Sequence, residues 1–353
     1  MGNGIFKEGG PHKIKRSGQD EYTMSVRIPT DADGLVGREC PDSSCSPGYF
    51  KVKLGTGITE GQVEAYCPYC RQANEPGGFM TKTQIEYAKN VVLREAEEGI
   101  SNVIENALEL GPSRKKRFGG DFISMEISYK PGRLPPVRPP IEEELRRDVT
   151  CPKCGLEHAV FGLAKWCPDC GSDIFLVHVD KEFEVVRHML GDVKRRHEQL
   201  GARVAARDVE NALEDTVSIF EAALRAMTRR YMKNSGISDE DLEDALRKRI
   251  GNKYQNVQLA AKVSEHEFGV ELFEDCDKGE VEAFRLTFEK RHPITHNLGI
   301  VDRKYLEKVR SGELEGRDVP VTVEEIESAI TFSSRVLQKL HSRLFTPTEN
   351  GRG

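Results

Sequence analysis

No run of about 18 apolar residues occurs in the 353-residue chain, so no membrane-spanning helix is expected. Even the most apolar helical stretch, Ile85 to Leu110, is interrupted by charges throughout. Aromatic residues are scarce at 7%, and hydrophobic residues reach 37%, so a core must come mainly from Leu, Ile, Val and Ala on helices. Excess positive charge is missing too. With 52 basic and 58 acidic residues the net charge is −6, which excludes a generic basic coat for nucleic acid and leaves such a partner a local patch. The opening MGNGIFKEGGPHKIKR lacks an apolar secretory core, so a cytoplasmic protein without a membrane partner is expected. No Ser or Thr follows Gly2 at the offset that lipidation needs.

Cysteine is what the chain does have. Eight of nine cysteines form four close pairs, and without an export signal this pattern predicts metal binding rather than disulfides. Cys151-Pro-Lys-Cys154 and Cys167-Pro-Asp-Cys170 are two knuckles, in which two intervening residues let both thiolates approach one ion from a tight turn. Gly155 and Gly171 follow the second cysteine of each and suit that turn. Four thiolates close a tetrahedral shell and leave no position for a catalytic water. Cys67-Pro-Tyr-Cys70 repeats the knuckle, and Cys40 and Cys45, four residues apart, complete a second set. Two structural Zn2+ ions are expected, although four thiolates suit iron as well. Cys276 stands alone among acidic residues and is expected to be a bystander.

Around these clusters the chain divides by composition. Residues 1–22 form a polar tail, and 23–130 a first cysteine module with strands at Thr23–Ile28, Tyr49–Leu54 and Gln62–Tyr66. The twenty-one residues between Cys45 and Cys67 fit a hairpin turning at Gly55-Thr56-Gly57. A helix begins at the capping box Thr81–Gln84, carries Ile85, Ala88, Val92 and Ala96 on one face, and ends near Leu110 before Gly111-Pro112. The basic run Arg114–Arg117 reads as a solvated loop, or as a patch for nucleic acid, ahead of a strand at Phe122–Tyr129. Five prolines between Pro131 and Pro140 predict an extended linker over 131–150. A second cysteine module over 151–179 ends in the strand Ile174–Val177. Both cysteine sets resemble zinc ribbons, a class that binds nucleic acid, binds protein or holds a fold together.

From 180 to 345 the pattern is helical, with a tail at 346–353. Phe183, Val186, Leu190, Val193 and Leu200 keep a three-four spacing, and Val209, Leu213, Val217, Phe220, Leu224, Met227 and Tyr231 do so over six turns. Ser238 with Asp241 caps a shorter helix through Ile250, and Val281, Phe284 and Phe288 mark one leading into Arg291. Thr322 with Glu325 is a second capping box, ahead of Val323, Ile326, Ile330, Leu337, Leu340 and Leu344. The expected fold is α+β and multidomain: small zinc-ribbon-like β modules and a long helix, then an all-α helical bundle. Of the scattered histidines, none shows ligand spacing, and His197 continues an apolar face.

Arg291, His292, His296 and Asn297 lie close together where a helical pattern ends. A straight helix puts Arg291 and His296 about 140° apart, and Pro293 between them predicts a bend. Here the sequence resembles the HEPN superfamily of helical-bundle domains, through Arg291-x-x-x-x-His296 with the polar His292 and the following Asn297-Leu-Gly-Ile-Val-Asp-Arg-Lys-Tyr305. The resemblance covers about half the chain. It implies a metal-independent endoribonuclease that dimerises, with Arg291, His292 and His296 as catalytic residues, RNA as substrate, and a toxin or antiviral-defence role with a protein partner or antitoxin. Independently of the name, a histidine suits acid–base work near neutral pH and an arginine grips phosphate with two donors. Asn297, Lys290 and Arg303 are candidate substrate contacts, and Glu221 could orient Arg291. Competing readings are a salt-bridged helix end with a core histidine, and a non-enzymatic interaction or RNA-binding regulatory protein.

Overall fold

A computed structural model describes residues 6, 8–19, 21–110, 114–119, 124–130, 146–309 and 312–345. The chain divides into two compact units, 1–174 and 175–353. The layout is mixed α and β, with small antiparallel sheets in the first unit and a long helix series in the second. No helix among the described residues is long and apolar enough to cross a membrane.

The first unit opens with a two-stranded ladder, β1 (Lys15–Arg16) on β2 (Tyr22–Thr23). Part of the expected tail is therefore paired, and the strand expected over Thr23–Ile28 is confined to its first residue. The main sheet uses β3 (Leu35–Glu39) and β4 (Tyr49–Lys53), while β5 (Ala65–Tyr66) pairs with β6 (Ala73–Asn74). The expected hairpin between Cys45 and Cys67 does not form, because β4 finds both its partners elsewhere.

Helix α1 (Lys82–Ala107) starts at Thr81 with both bonds of the capping box. The Gln84 N–H donates to Thr81 Oγ1 at 3.2 Å, and the Thr81 N–H donates to Gln84 Oε1 at 3.1 Å. The Gln84 amide also donates to the Gly37 carbonyl at 2.7 Å, which fixes the rotation of the helix at its first turn. Gln84, Val91 and Ser101 are buried as a result, while Ile85 and Val92, expected on the core face, are exposed. Beyond α1, β7 (Lys115–Gly119) pairs with β8 (Ser124–Ser128). The basic run thus starts a strand rather than a loop. It is also neutralised locally: Arg114 meets Glu105 at 2.7 Å, Lys115 meets Glu126 at 3.1 Å and Lys116 meets Glu109 at 2.6 Å.

Residues 131–145 of the expected linker lie outside the described residues, and the rest of it is largely strand. β9 (Arg147–Thr150) pairs with β10 (Glu157–Val160), and β10 lies antiparallel to β4 with Phe50 opposite Val160 and Val52 opposite His158. The sheet order is β3-β4-β10-β9. Strands from both cysteine stretches therefore join in one sheet, where two separate modules were expected. On one face Val36, Phe50, Val149 and Val160 are buried, as strict alternation along the strands requires.

The first unit ends at Ile174, where helix rather than the expected strand follows. The second unit runs α2 (Phe175–Leu200), α3 (Ala202–Asn234), α4 (Asp239–Ala245), α5 (Val257–Phe268), α6 (Lys278–Glu289), α7 (Arg291–His296), α8 (Arg303–Val309) and α9 (Val323–Phe345). Its core follows the three-four stripes: Phe183, Leu190, Leu213, Phe220, Leu224, Ile330 and Leu337 are all buried. The stripe on α2 fails at its far end, where His197 and Leu200 are exposed instead of core. Four phenylalanines meet at the centre, with Phe284 centred 4.2 Å from Phe288, 5.5 Å from Phe220 and 4.8 Å from Phe332. Phe220→Ala would open a cavity there. It is expected to cost about 3–5 kcal/mol, read as a lower urea midpoint with an unchanged slope. A loss under about 1 kcal/mol would mean that the cluster collapses to fill the space and does not organise the core.

Candidate functional site

Two clusters of four cysteines are assembled in the first unit. The eight thiols form no disulfide, and within each set all four Sγ atoms lie within 4.8 Å of one another. Cys40 Sγ is 3.6 Å from Cys70 Sγ, and Cys45 Sγ is 3.6 Å from Cys67 Sγ. In the second set Cys151 and Cys170 are 3.8 Å apart, and Cys154 and Cys167 are 3.5 Å apart. A tetrahedral shell with metal–sulfur bonds of about 2.3 Å requires sulfur–sulfur edges of roughly 3.8 Å. The spacing therefore fits a metal ion at the centre of each set, including the first set with its irregular Cys40–Cys45 interval.

Local backbone chemistry builds these turns. The Gly155 N–H donates to the Cys151 carbonyl at 2.9 Å and the Gly171 N–H to the Cys167 carbonyl at 3.0 Å, both glycines having positive φ. In the first set Arg71 takes the glycine's place with φ 68°, its N–H donating to the Cys67 carbonyl at 3.0 Å. Its guanidinium lies 4.4 Å from the centre of the Trp166 ring. Burial pushes the Cys40 thiol up to about 12, whereas hydrogen bonding from Cys67 draws Cys70 down to about 5. Cys276 joins neither cluster.

The second candidate is α7. The chain breaks at Lys290, between α6 and α7, and not at Pro293 as expected. Pro293 is third in the new helix, where a missing N–H costs nothing because first-turn N–H groups have no intrahelical partner. His292 and His296 thus fall four apart on one helix face, their ring centres 5.2 Å apart. His292 is half-buried and His296 exposed. His292 Nε2 lies 3.8 Å from Asp302 Oδ2. Burial holds His292 below its ordinary pKa, and Lys304 adds to the effect while Asp302 opposes it. Arg291 Nη1 donates to Gln255 Oε1 at 3.1 Å, and its buried Nε has no hydrogen-bond partner among the described residues.

Several expected contacts are engaged elsewhere. Lys290 is buried, its Nζ donating to the Pro320 carbonyl and to Glu325 Oε1, both at 2.6 Å, so it anchors the start of α9 and is withdrawn from substrate. Asn297 Nδ2 donates to the Ile300 carbonyl at 2.8 Å and closes the turn after α7. Glu221 accepts from Arg225, and Gln255 takes the place beside Arg291. Arg303 is exposed, 3.8 Å from Glu307. Thr295 Oγ1 donates to Glu214 Oε1 at 2.8 Å, which brings an acidic side chain of α3 against the helix. Neither the contact of Gln255 with Arg291 nor that of Asp302 with His292 is expected from the sequence. Asp302 had a signal, since its Oδ1 accepts the Tyr305 N–H at 2.7 Å as an N-cap does; Gln255 had none.

No known protein family, curated protein or solved structure matches the chain.

Metal analysis of the purified chain is expected to find two ions per molecule. Cys154→Ser should lose one of them and unfold the 151–171 turns, because metal binding is much of such a site's folding free energy. Full retention of both ions in that variant would remove Cys154 from the ligand set.

Proposed function

We propose that the protein is a metal-independent endoribonuclease of the HEPN type, with zinc in both cysteine clusters as a structural ion. The observation that carries this reading is α7, where Arg291 and two imidazoles 5.2 Å apart share two helical turns. In the proposed reaction one histidine takes the proton of the RNA 2′-hydroxyl, and that oxygen attacks the adjacent phosphorus. The bond to the 5′-oxygen breaks, the leaving oxygen receives a proton from the other histidine, and a cyclic phosphate remains. Arg291 stabilises the charge that develops on the phosphate oxygens. His292, held below its ordinary pKa by burial, suits the base, which leaves His296 as the acid.

A single α7 offers this set once, and two copies across a two-fold dimer would enlarge it, so self-association through the surface around Arg291 belongs to the proposal. Arg303, exposed beside the motif, is the remaining candidate for a phosphate contact. Four thiolates suit zinc in a closed, structural role, and the cysteine unit would serve partner or RNA recognition. A toxin or defence role, with a neutralising partner, is the biological setting the resemblance suggests. The second reading, a non-enzymatic interaction or RNA-binding regulator, is favoured by Glu214 against α7 and by the commitment of Lys290 to α9. Both features lower the positive charge available to RNA.

Incubation of the purified chain with single-stranded RNA tests the choice. Cleavage products should end in a cyclic phosphate, and DNA should resist. His296→Ala should slow cleavage about 100-fold or more, and Arg291→Lys should be impaired because lysine lacks the planar two-donor grip. Equal cleavage by folded wild type and His296→Ala would leave the regulatory reading. The pH profile gives an independent check. A depressed pKa keeps the His292 base unprotonated down to lower pH, so the acidic limb of the rate should fall below about 6.5, the unperturbed histidine value. A limb above that value would reassign the base.

A further inference from the structure

The first unit holds a cavity of about 270 Å³ on the sheet face that carries Arg38, Phe50 and Val52. Phe50, Phe79 and Leu156, all fully buried, form its apolar wall, and the loop through Thr56, Thr59 and Gln62 forms its mouth. Arg38 stands directly opposite Phe50 across β3 and β4, so both project from the same face. The alternation that makes Val36 and Phe50 core would place an apolar residue at position 38. A guanidinium occupies it instead.

Arg38 differs from the other cations of its sheet. Lys51 is paired with Asp31 at 3.2 Å, and Lys53 with Glu157 at 2.5 Å. Among the described residues no carboxylate lies within ion-pair distance of Arg38, whose Nη1 donates to its neighbour's Gly37 carbonyl at 3.1 Å. Asp169, which also lines the cavity, acts on it through space. Asp169 is itself engaged: its Oδ2 accepts the Ile58 N–H at 2.9 Å and its Oδ1 the Gln62 amide at 3.2 Å. Those bonds pin the mouth loop, and the fit at Gly57 is close, since a Cβ there would fall 2.2 Å from Asp169 Oδ2. The cavity is therefore preformed, with a half-buried cation that has no carboxylate at ion-pair distance beside an apolar wall. A charge withdrawn from water without a directly bonded counter-ion is costly, and a ligand anion supplies one.

We propose that this cavity binds a small organic oxyanion, a carboxylate or phosphate monoester on a compact apolar or aromatic body, with Arg38 holding the anionic oxygens. The size sets the class, because about 270 Å³ lies just below the usual range of about 300–1,000 Å³ for drug-sized ligands. The body rests against Phe50, Phe79 and Leu156, and the polar mouth meets Thr56 and Gln62. This site lies in the cysteine-bearing unit and stands whether or not α7 cleaves RNA.

Calorimetric titration of the metal-loaded 353-residue chain tests it, with benzoate, anthranilate and the four ribonucleoside 5′-monophosphates as probes. Benzamide, the nucleosides and inorganic phosphate serve as comparisons. At least one organic anion should bind with Kd below about 1 mM, more tightly than its uncharged counterpart and more tightly than phosphate alone. The carboxylate and phosphate arms separate the two sources of the oxyanion. Arg38→Gln should weaken that binding at least about tenfold. Ala65→Leu, which narrows the cavity and leaves Arg38 in place, should weaken it as well. Metal content and unfolding midpoint report whether each variant folds, and if Arg38→Gln does not, Ala65→Leu and the charged–uncharged pairs decide. Failure of every probe to bind, equal binding of charged and uncharged forms, or wild-type affinity in folded Arg38→Gln would overturn the proposal.

Discussion

The antiparallel pairing of β4 with β10 is the constraint on which the first unit depends. It joins segments more than a hundred residues apart, with Lys51 opposite Ala159 at its centre, and everything flanking it is reciprocal. β3 lies outside β4 as β9 lies outside β10. The Tyr66 N–H donates to the Pro168 carbonyl at 2.7 Å, and the Trp166 N–H donates to the Pro68 carbonyl at 3.1 Å. Each knuckle thus accepts a bond from the residue preceding the other. The exchange continues in the side chains, because Arg71 lies over Trp166 while a Cβ at Gly171 would touch the Tyr66 ring. The two cysteine sets are halves of one reciprocal structure. Closing such a long loop costs entropy that grows slowly with its length, so a few ladder bonds and a shared buried face suffice to hold it.

That reciprocity was not legible in the sequence, for a physical reason. Cysteine spacing is a local signal, and it located both clusters, because ligand geometry acts within a few residues. Strand pairing is non-local, and Tyr49–Lys53 carries no mark that its partner is Glu157–Val160 rather than Gln62–Tyr66. The capping boxes at Thr81 and Thr322 were equally local, and both are present with their side-chain bonds. The rotation of α1 departs from its apolar stripe because one tertiary bond, from Gln84 to the Gly37 carbonyl, overrides it. Periodicity served α3 and α9 well, since those helices lie within a helical core and burial follows their stripes.

At α7 the structure changes the geometry expected of Arg291, His292 and His296. Pro293 was expected to separate Arg291 from His296, but a proline in a first helical turn is compatible with the helix. The break falls instead at Lys290, whose buried ammonium is drawn to Glu325 and the Pro320 carbonyl. A residue read as a substrate contact became the anchor that positions the helix. Arg291 is likewise held by Gln255, a neutral partner that fixes the guanidinium without consuming its charge. This distinction matters for any phosphate chemistry at α7, because a carboxylate in that position would offset the cation that the phosphate requires.

Buried charge in the sheet of the first unit obeys the same logic. Lys51 is buried against Asp31, and Asp31 is in turn fixed by the Leu35 N–H at 2.8 Å, so cation and anion are both satisfied within the fold. Arg38, on the neighbouring strand and the opposite face, has no carboxylate at ion-pair distance, yet it sits where alternation predicts an apolar residue. A side chain serving stability alone would be replaced there by Leu or Val with better packing and no desolvation cost. The neighbouring carboxylate, Asp169, accepts from Ile58 and Gln62 and shapes the cavity mouth, acting on the cation through space and not at ion-pair distance. Both charges line the cavity: the carboxylate fixes the loop, and the guanidinium keeps donors that no carboxylate oxygen takes up at ion-pair distance.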